Sequence, residues 1–112
     1  MPEVFTIGLY QLENLIFARP SFRFLDLRIR PQTVASVRVQ AILSHATPVR
    51  GTDLKLHLAN HEVTKDEPIV LFCEDGRLSA SAAAELETDG YSQVYVVEGG
   101  LDGLLREATI SG

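Results

Sequence analysis

The run Ile69-Val70-Leu71-Phe72-Cys73 is apolar without interruption. A strand carries apolar residues at successive positions when both of its faces are covered, which is the condition of a parallel sheet between helical layers. Val94–Val97 has the same character. Val4–Ile7, Phe22–Leu27 and Ala41–Ser44 complete five predicted strands, on apolar and β-branched content over short lengths. Helical spacing fills the intervals. Leu9, Leu12, Leu15 and Ile16 share one face up to Arg19-Pro20, and Pro31 is placed to open a short helix. Thr52 or Asp53 is the expected cap of a helix carrying Leu54 and Leu58 and ending near Asn60. Arg77–Asp89 is the strongest helical segment; its inward alanines allow close approach to a sheet, and Gly90 stops it. Leu101, Leu104, Leu105 and Ala108 follow the Gly99-Gly100 turn as a final amphipathic helix. Strands alternating with helices imply an α/β fold, a three-layer α/β/α sandwich around a mostly parallel five-stranded sheet. Residues 1–112 are expected to form one domain.

Composition removes several functional classes. The net charge of −5 argues against nucleic acid, whose binding rests on clustered Lys and Arg. No apolar run is long enough to span a membrane, and the start MPEVFTIGLY lacks the basic flank and long apolar stretch of a signal peptide. One cysteine forms no internal disulfide, which suits a reducing, cytoplasmic location.

Chemistry concentrates between the fourth strand and the alanine-rich helix. Ligands of open α/β sheets bind beyond the carboxyl ends of strands, against helix N-termini. Cys73, Glu74, Asp75, Gly76, Arg77, Leu78 and Ser79 occupy that place. A glycine-containing turn there aims successive backbone N–H groups inward as an anion nest. Those dipoles and the helix N-terminus favour thiolate over thiol, and thiolate is the nucleophile. At an ordinary pKa near 8.5 only about 3% of a thiol is ionised at pH 7. The plain alternative is that Cys73 is a small buried hydrophobe closing an apolar strand.

The stretch from Ile69 to Leu101 resembles the C-terminal half of a rhodanese-like (sulfurtransferase) domain. That family's pattern is an apolar strand, C-x-x-G-x-R-S, a small-residue helix, a G-[YF] turn, a strand and an E-G-G turn. Cys73, Gly76 and Ser79 match the loop, and Gly90-Tyr91 and Glu98-Gly99-Gly100 match the later turns. Phe24-Leu25-Asp26-Leu27-Arg28 resembles the family's strand ending in D-x-R, and Ala41-Ile42 stands at its G-A-I segment. The resemblance implies a persulfide cycle: Cys73 takes a sulfane sulfur from a donor such as thiosulfate and passes it to a thiol, to cyanide or to a protein acceptor. It also implies that residues 74–79 bind the anionic sulfur, with no metal and no organic cofactor. The alternative it carries is a catalytically weak binding or regulatory module, part of a larger polypeptide.

Three positions depart from the pattern. The loop arginine is replaced by Leu78, with Arg77 one place earlier, and Glu74 and Asp75 add negative charge. Val37-Arg38-Val39-Gln40 stands where the family has H-I-P-G. The chain has no tryptophan to follow the E-G-G turn.

Other constellations are weaker. A phosphatase loop needs Cys-x5-Arg for two-point phosphate binding, and the sixth residue after Cys73 is Ser79. His57 and His61 have the i,i+4 spacing of metal ligands, but no further ligands complete a site, so they read as surface histidines. His45 reads as a loop histidine, and Asp26 with Arg28, on one face of a strand, as a structural ion pair. Ser79 is a candidate hydrogen-bond donor to the loop anion; Ser81 reads as structural and Glu98 as solvated or a loop anchor.

Overall fold

The structure, a computed structural model, describes residues 5–18, 22–29 and 34–110. The elements run β1 (Phe5–Ile7), α1 (Leu9–Ala18), β2 (Arg23–Asp26), α2 (Val37–Leu43), β3 (Thr47–Pro48), a 3-10 turn (Gly51–Asp53), α3 (Leu54–Asn60), β4 (Ile69–Phe72), α4 (Arg77–Thr88), β5 (Val94–Val97) and α5 (Gly100–Ile110). The sheet order is β1-β5-β4-β2-β3, and every pairing is parallel. Val4, Arg19-Pro20 and the helix expected at Pro31 lie outside the described residues. No helix among the described residues is long and apolar enough to cross a membrane.

The unbroken apolar run sits at the centre of the sheet, between β5 and β2. Because strand side chains alternate, Ile69, Leu71 and Cys73 enter one core with Leu54 and Leu58 of α3 and Ala82, Ala83 and Leu86 of α4. Val70 and Phe72 enter the other, with Leu9 and Leu12 of α1, Val39 and Ile42 of α2 and Leu104 of α5. All four residues of β4 are fully buried, and each such large side chain contributes about 1.5–3 kcal/mol relative to exposure.

One expected strand is a helix. Ala41–Leu43 belongs to α2, and β3 is the shorter Thr47–Pro48. Val39, Ile42 and Leu43 are all buried at helical spacing, and Ser36 Oγ accepts the Val39 N–H at 3.3 Å as the cap. Helical period thus overrides the apolar content of a four-residue run. Asp53 is the N-cap residue of α3, as expected, but its side chain makes no capping bond, and the 3-10 turn leads the chain into the helix. Helix α4 ends as expected, with Gly90 at φ +101° just beyond it.

Candidate active site

Cys73 follows β4 directly, on the α3/α4 side of the sheet. The chain then turns through Gly76, whose φ of +94° is left-handed and cheap only for glycine, and enters α4 at Arg77. This reversal brings two backbone amides onto the sulfur: Gly76 N–H donates to Cys73 Sγ at 3.1 Å and Ser79 N–H at 3.4 Å. Cys73 is 1% exposed.

The remaining loop residues divide between solvent and core. Glu74 and Asp75 are exposed. Asp75 accepts the Arg77 N–H at 3.0 Å and pairs with Arg77 Nε at 3.2 Å, so this arginine faces solvent, not the sulfur. Leu78 is partly exposed, and Ser79 is wholly buried with no hydrogen-bond partner for Oγ. An orphan hydroxyl in the loop is available to a further acceptor.

Two neighbouring features brace the loop. Gly99 and Gly100 both have positive φ, and a Cβ on Gly100 would overlap the Cys73 carbonyl oxygen. Behind the loop, Asp26 and Arg28 form the ion pair their spacing suggests, with Nη2 to Oδ2 at 2.8 Å, Nε to Oδ1 at 3.0 Å and both side chains buried. Asp26 also accepts the Arg28 N–H, and the guanidinium lies over the Phe72 ring at 5.3 Å. The residue before the cysteine is thereby held from the flank.

Other sequence candidates stand apart. His57 and His61 meet with their rings tilted by 37° and centroids 4.2 Å apart, and among the described residues no three His, Cys, Asp or Glu gather as a metal set. His45 is exposed in the turn after α2, and Glu98 is exposed with its N–H on the Ile7 carbonyl. Ser81 is exposed and lines a cavity of about 610 Å³ beside the loop, with Arg28, Arg50 and Leu78. Arg50 carried no signal in the sequence, because only β3 and the 3-10 turn bring it to that cavity.

A cysteine closing a buried parallel strand and cradled by a glycine turn at a helix N-terminus defines a class, and similarity to known proteins agrees with it. The Rhodanese-like domain family matches residues 10–107, and the chain belongs to that family. It is 41% identical over 54 residues to the thiosulfate sulfurtransferase GlpE of Pseudomonas savastanoi pv. phaseolicola, across 42% of this chain and 51% of that protein. To GlpE of Glaesserella parasuis it is 32% identical over 80 residues, across 65% of this chain and 70% of the relative. The match thus spans about half the length of the first of these curated relatives. Among solved structures, a thiosulfate sulfurtransferase from Pseudomonas aeruginosa superposes with a TM-score of 0.70 at 23% identity, over 94% of this chain and 19% of that one. A rhodanese homolog from the extremely thermophilic bacterium Thermus thermophilus gives 0.61 at 26% identity, over 88% and 99%.

Proposed function

We propose that the chain is a cytoplasmic sulfurtransferase, acting as one domain, with Cys73 as the nucleophile and the backbone of residues 74–79 as the cradle for anionic sulfur. The observation that carries this is the pair of amides on Sγ, from Gly76 and Ser79. Their dipoles favour negative charge at that point. In the first half-reaction the Cys73 thiolate attacks the outer sulfur of thiosulfate. A Cys–S–S⁻ bond forms, the S–S bond of thiosulfate breaks, and sulfite leaves with the bonding pair. In the second, a thiol, cyanide or a protein thiolate takes the outer sulfur and the Cys73 thiolate returns. The buried Ser79 hydroxyl is the donor placed to meet the added sulfur.

The test is the intact mass of reduced protein after exposure to thiosulfate. A gain of one sulfur atom, reversed by cyanide and absent in Cys73→Ser, is the expected result; a gain that persists in that variant overturns the assignment. The burial of Cys73 and the leucine at position 78 favour a second reading, a binding or regulatory module with little turnover. No mass gain from thiosulfate or from polysulfide selects it.

A further inference from the structure

His57 and His61 take no part in the half-reactions above, yet their rings are brought together at the end of α3. His61 is the C-cap, and its N–H donates to the His57 carbonyl at 3.1 Å, so one closed helical turn joins the two residues. Side chains four apart on such a turn share a face, with Cβ atoms about 5–6 Å apart. The ring centroids are 4.2 Å apart, and among the described residues no ring nitrogen of either has a hydrogen-bond partner. His61 is exposed, while His57 is half-buried and lines a cavity of about 450 Å³ with Pro48, Asp53, Leu56 and Asn60. Burial first, then the charges of His61 and Arg23, hold the His57 imidazole below its ordinary pKa of 6.5. It is therefore neutral at pH 7 and offers a nitrogen lone pair. The Arg23 charge is itself met by Glu67, at 3.4 Å.

We propose that His57 and His61 chelate one divalent transition-metal ion of tetragonal geometry, Cu(II) ahead of Ni(II), through one nitrogen of each ring. Metal–nitrogen bonds of about 2.1 Å put two imidazole centroids roughly 4.5 Å apart at cis tetragonal positions, and roughly 5.2 Å apart at tetrahedral ones. The observed 4.2 Å is nearer the tetragonal value, so a small opening of the rings admits the ion. Imidazole suits both metals, and the general order of affinity puts Cu(II) first. Water fills the remaining positions, since no third protein ligand gathers there among the described residues. The site is separate from the nucleophile: Arg23, which His57 senses, pairs with Ile69, and Cys73 lies four residues further, about 13 Å by strand rise. Binding clamps the last turn of a seven-residue helix whose Leu54 and Leu58 pack in the same core as Cys73. The ion is thus expected to stabilise the fold without entering the reaction.

Cu(II) titrated into Cys73→Ser tests the site, because that background lacks the thiol that would bind or reduce the ion. Electron paramagnetic resonance is expected to show one tetragonal Cu(II) per chain with two nitrogen ligands. Amide signals of residues 57–61 are expected to broaden first in NMR spectra. His57→Gln and His61→Gln, each added to that background, are expected to weaken binding at least about tenfold by ending chelation, whereas His45→Gln leaves it unchanged. Ni(II), which the thiol does not reduce, is expected to raise the melting temperature of the otherwise wild-type chain and not of its His61→Gln variant. His61 is exposed, so that variant keeps the core intact and the comparison is fair. Equal binding by all three histidine variants, loss of affinity in only one of His57→Gln and His61→Gln, or broadening centred elsewhere overturns the assignment.

Discussion

The Leu101 amide donates to the carbonyl oxygen of Cys73 at 2.9 Å, and the Asp102 amide repeats the contact on Glu74 at 3.1 Å. The first turn of α5 is bonded to the Cys73 loop through groups that a helix N-terminus otherwise leaves to water or a cap. The loop's carbonyls are held from outside while its amides turn inward to the sulfur. Donors and acceptors of one short segment are thus sorted to opposite sides.

Gly100 makes that contact possible. Its φ is +58°, and besides overlapping the Cys73 carbonyl a Cβ there would lie 2.8 Å from Gly76 N. Gly100→Ala is expected to cost about 3 kcal/mol and to abolish sulfur loading together with stability. Gly90→Ala, also at positive φ but with nothing within 4 Å, is expected to cost only about 1 kcal/mol. Thermal melts of the two variants decide it: equal losses would show that no clash exists at Gly100.

Asp26 and Arg28 form a buried, multiply bonded pair. Removing one partner strands the other's charge, so Asp26→Asn is expected to lose about 3–5 kcal/mol in urea unfolding. Joint replacement by Asp26→Leu and Arg28→Met is expected to recover much of the loss. A double variant no better than the single one would mean that the pair acts through its contacts to the loop, not through charge balance.

Ser79 Oγ is buried without a partner. An unsatisfied hydroxyl costs about 1–3 kcal/mol, so Ser79→Ala is expected to stabilise the sulfur-free protein slightly. The same change removes the donor proposed to meet the added sulfur, and loading at limiting thiosulfate is expected to fall. Intact mass and melting temperature, read on one sample, separate the two effects; a variant that melts higher and loads normally assigns the hydroxyl no role.

His57 is held below its ordinary pKa of 6.5, first by burial, then by the neighbouring His61 and Arg23 charges. Below 6.5 the unfolded chain therefore binds a proton before the folded one does. Stability is expected to fall as pH drops from about 6.5 toward the lowered folded value, and to be little affected by this group at higher pH. Replacing His57 by Gln should flatten the melting temperature across that window, and an unchanged slope would place the acid sensitivity elsewhere.

Sequence periodicity captured the elements that build the loop. The continuous run Ile69–Cys73, the alanine-rich helix and the Gly99-Gly100 turn each carry a local signal strong enough to place without tertiary context. The Asp26–Arg28 pair was visible too, because strand alternation puts residues two apart on one face. What failed was local content without period: Ala41–Ser44 has strand-like residues, but Val39, Ile42 and Leu43 need a helix to be buried together. Arg50 and the α5 amides were beyond reach for a different reason. Their positions come from segments distant in sequence that meet only at the carboxyl ends of β2, β3, β4 and β5.

Strand order has a consequence for synthesis. β1 pairs with β5 alone, Phe5 against Tyr95 and Ile7 against Val97. As the chain emerges from the ribosome, β1 waits for its partner β5, whose Tyr95 pairs with Phe5. Closure of the sheet is therefore a late, long-range event. The strand that completes this closure also leads into the turn that seats Gly100 against Cys73, so the Cys73 loop is finished only when two strands far apart in sequence meet.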